Sequence, residues 1–425
     1  MSSTTSSPIN QALSPVPQAS RVFGMRELAS LWFSLGVGLL VMQVGAYLVP
    51  ATGIKEAVWA TLLGSLLGAA MLAWVGKIGC DTGLSSAGLM HRTYGSFFAK
   101  LPVLLNIVQL LGWTTFEMVV MREGSIAIAN QTLNLNLSGW VITLACTLLW
   151  GLVLLGLLAG SMLKLVRHVV SRYALPLVIL SLIWLSWQFG SRLADTGWAE
   201  FWNRPGDGSM TMFGALDLVI AMPVSWLPLV ADYARHGRSG RSAFTGIWLG
   251  YAIANMWCYA LGVVIISTVE PGTDMVSALL LAQGGLIALG LILVDELDNA
   301  YGDLYSSSVS THSLLPKWSI RRWGITWAVV STALALVLPI HSLEPFLLTL
   351  SSVFVPLYGV ILGRNVLGGS QRPAAKKGLV AWPALLWLLG IACYHSIGYW
   401  APGLGSALPT LLLTFAIALL TRPRA

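Results

Sequence analysis

Charge is scarce in this chain: only 10% of its 425 residues are Asp, Glu, Lys or Arg. Soluble domains carry about 25%. With 56% hydrophobic residues and a mean hydropathy of +0.76, the composition points to a polytopic membrane protein rather than a large soluble core. Cysteine is equally sparse. Cys80, Cys146, Cys258 and Cys393 form no close pair, which argues against a zinc site or a disulfide framework and for four small buried hydrophobes. His91, His168, His236, His312, His341 and His395 are scattered, and no HExxH pattern occurs. No Gly-Lys-Ser/Thr phosphate loop occurs either, so ATP-driven work by this chain alone is not expected. No early basic region with a short apolar stretch marks a signal peptide; Ser2–Ser20, rich in Ser, Thr and Pro, reads as a disordered tail.

What the chain has is long apolar runs. A helix needs about 20 apolar residues to cross a bilayer. Twelve such spans are expected, near 28–50, 56–76, 101–129, 139–161, 169–190, 211–231, 243–268, 276–306, 324–341, 345–363, 379–396 and 404–421. Of the 24 basic residues, 20 fall in alternate connections, among them Arg21, Lys77, Arg92, Lys100, Arg167, Arg235, Arg322 and Lys376. The opposite connections hold only Lys55, Arg192 and Arg204, and Arg122 lies inside a span. Positive charge stays cytoplasmic, so a multi-pass protein of the plasma (inner) membrane with both termini inside is expected. The net charge of +7, spread over seven short segments, gives no nucleic-acid surface. Two sequons, Asn130-Gln131-Thr132 and Asn136-Leu137-Ser138, fall in an outward loop and read as ordinary polar sequence.

Polar residues inside these spans are the informative ones. Span 3 places Asn106, Gln109, Trp113, Glu117 and Gly124 on one stripe at about 100° per residue. A flat aromatic and a hydrogen-bonding side chain four residues apart suit a planar heterocycle, one stacking on its face and the other meeting its edge. Trp113 alone could equally be a packing residue in a chain with nineteen tryptophans. Span 8 carries Asp295, Glu296, Asp298, Asn299 and Asp303. A charge at mid-bilayer costs about 2.5–3.5 kcal/mol, so these acids line an internal cavity, are protonated, or mark a helix end in water. The room between Asp274 and Lys317 for a long helix favours the interior. Span 1 contains Gly36, Gly38, Gln43 and Gly45, and span 6 contains Asp217 ahead of Pro223-Val224-Ser225-Trp226-Leu227-Pro228. Both spans are expected to be interrupted, and a matched pair of broken helices in two halves points to a transporter site. For Asp217 a headgroup-level position is an equal alternative.

Three passages carry a family resemblance: Asp81-Thr82-Gly83-Leu84-Ser85 through Arg92-Thr93-Tyr94-Gly95, Leu111-Gly112-Trp113, and Ala231-Asp232-Tyr233-Ala234-Arg235. In their order and positions they resemble the nucleobase:cation symporter-1 family. Pro223–Pro228 and Asp295–Ser306 look most like its branch assigned to hydroxymethylpyrimidine, a thiamine precursor. The resemblance implies an all-α, twelve-span LeuT-type fold, with a five-plus-five inverted repeat and two added helices. The corresponding domains are a disordered cytoplasmic tail over 1–25, a ten-helix core over 26–363 (repeats about 26–200 and 201–363), and two additional helices with a short tail over 364–425. Together with the polar residues of the spans, the resemblance gives an expected substrate site of Trp113, Glu117, Gln109, Gln43, Asp217, Ser225, Trp226, Asp295, Glu296, Asp298 and Asn299. Within that site Trp113 stacks on the cargo, and Glu117 and Asn299 or its acidic neighbours hold the ring edge. Sodium-coupled relatives place a Ser/Thr pair in span 8, where this chain has Leu291-Ile292-Leu293-Val294 followed by carboxylates. The coupling cation stays open between H+ and Na+, with Asp295, Asp298 and Asp303 as candidate ion-coupling residues. No other cofactor or metal is expected, and the oligomeric state is not legible. The expected function is secondary active, cation-coupled import of a small planar pyrimidine, hydroxymethylpyrimidine foremost, by alternating access, with cytosine, another nucleobase or thiamine as alternative cargo. An integral-membrane enzyme using the acids is the competing class; it lacks a nucleophile constellation.

Overall fold

A computed structural model describes residues 10–133, 138–162, 173, 175–338, 343–366 and 378–422. Its helices are α1 (Met25–Ser34), α2 (Leu39–Ala51), α3 (Ile54–Thr82), α4 (Ser86–Tyr94), α5 (Lys100–Leu133), α6 (Trp140–Leu158), α7 (Leu175–Thr196) and α8 (Trp198–Trp202). They continue as α9 (Met212–Ala234), α10 (Gly240–Ser267), α11 (Met275–Leu280), α12 (Gly285–Leu314), α13 (Ile320–Val337), α14 (Leu343–Asn365), α15 (Ala381–Trp400) and α16 (Ala407–Leu420). Among the described residues, eight helices are long and apolar enough to cross a bilayer, and α1 with α2 makes a ninth across a 59° bend. The acid-bearing α12, α13 and the 14-residue α16 occupy the remaining expected positions. The chain is therefore an all-α, multi-pass membrane protein. The start of span 5, with Lys164, Arg167, His168 and Arg172, lies outside the described residues, as do His341, Arg372, Lys376, Lys377, Arg424 and most of the second sequon.

The interruption in span 1 is present at Leu35–Gly38, between α1 and α2. Close approach explains the glycines. A Cβ on Gly36 would sit 2.9 Å from Ala254 Cβ, and one on Gly38 3.1 Å from Glu296 Oε1. Span 6 does not follow the expectation. Despite Pro223 and Pro228, α9 runs as one helix from Met212 to Ala234. Neighbouring helices make room beside the prolines and bond backbone carbonyls close to them. Gly68 of α3 leaves a notch for the Pro223 ring, where a Cβ would lie 2.2 Å from Cγ. From α5, Asn106 Nδ2 donates to Pro228 O at 3.1 Å and Gln109 Nε2 to Ser225 O at 3.2 Å. α9 is buried on nearly every side, whereas α6 is largely exposed, so α9 is the central element and α6 faces lipid.

The expected disordered tail needs correction over residues 10–25. Ala12 and Phe23 are fully buried. Val16 N donates to Gly83 O at 2.9 Å, and both Val22 N and Phe23 N donate to His236 O. Arg21 Nη1 reaches Cys80 O at 2.5 Å. Unpaired loop carbonyls of the α3–α4 and α9–α10 connections hold this segment, a long-range effect that its polar composition does not announce. Residues 1–9 lie outside the described ones.

Candidate functional site

The α5 stripe is buried along its length, and its two halves do different work. Asn106 Nδ2 is shared between Pro228 O and Ser310 Oγ (3.1 Å each), and Gln109 Nε2 also donates to Asn106 Oδ1 at 3.0 Å. These amides bind α5 to α9 and α12. Two turns further on, Trp113 and Glu117 line a cavity of about 20 Å³ together with Gly38, Trp226, Glu296 and Asn299. Trp113 Nε1 and Glu117 Oε2 are buried without a hydrogen-bond partner. Buried polar atoms are normally paired, and these two unpartnered ones belong to residues of the same cavity.

α12 is 30 residues long, about 45 Å at 1.5 Å per residue, against a hydrocarbon core of about 30 Å. Its acids occupy the middle of that length, and Asp295, Glu296 and Asp303 are at most 2% exposed. The reading of a helix end in water is thereby excluded. Two of these acids hold the broken span. Ser34 Oγ, at the end of α1, donates to Asp295 Oδ1 at 2.8 Å. The Leu39 N–H, first of α2, donates to Glu296 Oε1 at 2.6 Å. A carboxylate at a helix N-terminus meets unpaired N–H groups and the positive end of the dipole, so Glu296 caps α2 from across the bundle. Asn299 Nδ2 completes the clamp, donating to Val37 O at 3.1 Å and to Glu296 Oε2 at 3.2 Å. Glu117 lies within electrostatic reach of Asp303 and Glu296. No Lys or Arg lines this cavity.

Of the residues singled out in the sequence, Trp113, Glu117, Trp226, Glu296 and Asn299 meet at this one cavity. Other candidates sit elsewhere. Asp217 accepts from the backbone N–H groups of Ser406 and Ala407 (the latter at 3.1 Å) and so anchors the start of α16 to α9. The Ser225 hydroxyl donates to Met222 O at 2.7 Å within its own helix, and with α9 unbroken it does not line the cavity. Gln109 is committed to packing, although its Oε1 is unpartnered. Gln43 lines a separate, larger cavity. Asp295 is engaged at the α1 end, where Asp298 also interacts with Ser34. Asp303 keeps an unpartnered Oδ2. Residues that the pattern missed are Ser34, Leu35, Leu40, Val41 and Met222 at the break and cavity. Phe116 and Phe346 were missed too; Trp113 packs against them at ring-centroid distances of 6.0 and 5.2 Å. Only Ser34, a polar residue in an apolar run, carried a sequence signal. Among the described residues, no group of His, Cys, Asp and Glu has a metal-holding arrangement.

The Asp232 of Ala231–Arg235 also has a defined place. Its Oδ1 accepts from Ser86 N, first of α4, at 3.0 Å, and its Oδ2 accepts from Ser306 Oγ of α12. The motif thus ties three helices together at the end of the bundle nearest the basic loops.

Comparison with known proteins adds to this geometry. The profile of a family described as permease for cytosine/purines, uracil, thiamine and allantoin matches residues 15–370. The cytosine permease of Escherichia coli strain K12 is 26% identical over 421 residues, covering 95% of this chain and 94% of that one. The structure of Mhp1, a nucleobase-cation-symport-1 family transporter, in a closed conformation with bromovinylhydantoin bound, superposes with a TM-score of 0.77. The two are 15% identical over 97% of this chain and 94% of that one. MhsT in complex with L-phenylalanine gives a TM-score of 0.60 at 17% identity, over 92% and 98% of the two chains. The fold is of the LeuT type.

Proposed function

The chain belongs to the family of permeases for cytosine/purines, uracil, thiamine and allantoin, and on that footing we propose that it is a cation-coupled importer of a small planar pyrimidine, with hydroxymethylpyrimidine as the leading cargo. One observation carries the reading. Trp113, Glu117, Glu296 and Asn299 converge on one cavity beside the α1–α2 break, with unpartnered atoms on both α5 residues. Trp113 offers a face for stacking, and Glu117 and the α12 pair offer an edge for an aminopyrimidine. The cavity holds no more than about one water in this structure, so the side chains around it shift to admit a ring.

The coupling ion in this reading is H+ or Na+. Carboxylates packed together in a low-dielectric interior without a basic partner are tolerated only if they take up protons, which removes the charge, or bind a cation, which compensates it. Unpartnered oxygens on Glu117, Asp295, Asp298 and Asp303 favour the proton. The basic loops support a plasma-membrane orientation with both termini cytoplasmic. Cytosine, another nucleobase or thiamine is the alternative cargo, in keeping with the family description.

The test is uptake of labelled hydroxymethylpyrimidine into proteoliposomes under an imposed proton gradient and then a sodium gradient. Uptake driven by one of them, and abolished by Trp113→Ala and by Glu117→Ala at unchanged protein level, is the expected result. Wild-type uptake in both variants would end the site assignment, and uptake of labelled cytosine or thiamine in the absence of hydroxymethylpyrimidine uptake would replace the cargo.

A further inference from the structure

A second cavity, of about 400 Å³, borders the inner one and falls within the range of about 300–1,000 Å³ typical of ligand pockets. It is lined by Gln43 and Tyr47 of α2, Phe116 and Glu123 of α5, and Asp274 before α11. These positions lie toward the ends of α2 and α5 remote from the basic loops. Leu40 borders both cavities; Trp113 faces the inner one and Phe116 the outer one. Leu40 and the cluster of Trp113, Phe116 and Phe346 therefore form the partition between them, with Phe116 and Phe346 rings 5.2 Å apart.

The lining has a definite chemistry. Gln43 Nε2 donates to the Tyr47 hydroxyl oxygen at 2.8 Å. That bond leaves the Tyr47 O–H hydrogen as a donor and Gln43 Oε1 as an acceptor, side by side. An aminopyrimidine edge presents the complement, a ring nitrogen that accepts beside an amino group that donates. Phe116 and the Tyr47 ring provide faces for stacking. Arg122 neutralises Glu123 through a 2.7 Å ion pair, while Asp274 and Glu344, which acts on Tyr47, leave the mouth net negative. Such a field draws in cationic amino heterocycles, leaves neutral ones unopposed and turns away anions.

We propose that this outer cavity is a second ligand site, in series with the inner one, that binds an amino-substituted aromatic heterocycle before the aromatic partition lets it pass. The inference rests on the transport reading above, and the two separate experimentally. Equilibrium dialysis of the purified full-length protein with radiolabelled hydroxymethylpyrimidine, repeated with cytosine and thiamine, gives the number of molecules bound per chain at saturation. Two per chain are expected, falling to one in Trp113→Ala and to one in Gln43→Leu/Tyr47→Phe. Tyr47→Phe alone, which keeps the ring and removes only the hydroxyl, is expected to weaken the outer site about tenfold and serves if the double variant fails to fold. One molecule per chain, lost in Trp113→Ala and unaffected by Tyr47→Phe, overturns the outer site and leaves the inner one standing. One molecule per chain, indifferent to Trp113→Ala and weakened by Tyr47→Phe, upholds the outer site and overturns the inner assignment. No binding of any probe overturns both.

Discussion

Replacing Glu296 by Gln probes the clamp that holds the helix break open. The carboxylate accepts the Leu39 N–H at 2.6 Å and the Asn299 Nδ2–H at 3.2 Å. Gln keeps one oxygen for Leu39 but presents an NH₂ group to a donor at Asn299, which still holds Val37 O. A hydrogen bond to a charged group contributes about 1.5–3 kcal/mol and a neutral one about 0.5–1.5, so loss of charge costs about 1 kcal/mol at Leu39. The helix dipole adds about 0.3–1 kcal/mol, and up to about 2 where the site is buried. The sum is about 2 kcal/mol, roughly a 30-fold shift in an equilibrium constant. Hydrogen exchange across residues 35–42 reads this locally, since opening of the α2 N-terminus governs exchange there. Protection is expected to fall about 30-fold in Glu296→Gln and further in Glu296→Ala, where both N–H groups lose their acceptor. Relief of repulsion with Glu117 and Asp303 acts in the opposite sense. Unchanged or increased protection in the Gln variant would show that repulsion dominates and that a charged cap is not what holds this end.

Two further outcomes follow from contacts away from the cavity. Asp217→Ala leaves the Ser406 and Ala407 N–H groups unpaired, at about 1–3 kcal/mol each, so thermal stability in detergent should fall while cargo affinity stays unchanged; an affinity loss at unchanged stability would return Asp217 to the binding site. Outside the spans, burial first and the nearby Lys100 second push His91 down to about 4, and burial, then Arg235 and Arg21, push His236 down to about 3. As pH drops below about 6.5, the unfolded chain takes up protons that these folded histidines refuse, so stability declines from there downward. The decline is less steep below about 4, where His91 titrates, and levels off below about 3, where His236 does. The midpoint of unfolding should be lower at pH 5 than at pH 7, with a shallower dependence in His236→Gln; a flat profile in the wild type would refute the assignment.

The α5 stripe was legible because helical periodicity is a local rule: an apolar helix with polar residues at 106, 109, 113 and 117 has one inward face wherever its neighbours lie. The mid-helix place of the α12 acids followed from length alone, since Gly285–Leu314 exceeds the bilayer on both sides of them. Other features depended on partners far along the chain. Pro223 and Pro228 signal a break by every local rule, yet α9 stays whole, with the Pro223 ring seated in the notch left by Gly68 of α3 and α5 amides bonded to Ser225 O and Pro228 O. Asp217 reads as a candidate ligand until α16, 189 residues further on, presents its first N–H groups.

What the sequence determines by itself is whatever the bilayer imposes as a solvent. Span number, the confinement of basic residues to alternate loops, and the need to turn polar side chains inward all follow from the cost of exposing charge and backbone to hydrocarbon. That cost is set residue by residue, and so it is written locally. Which carboxylate oxygen caps α2, which acids keep a free oxygen, and how an aromatic partition divides the inner cavity from the outer one are decided only by tertiary structure. Each depends on the relative placement of helices hundreds of residues apart, fixed by glycine notches and side-chain contacts to within a few tenths of an ångström, a precision that no local pattern encodes.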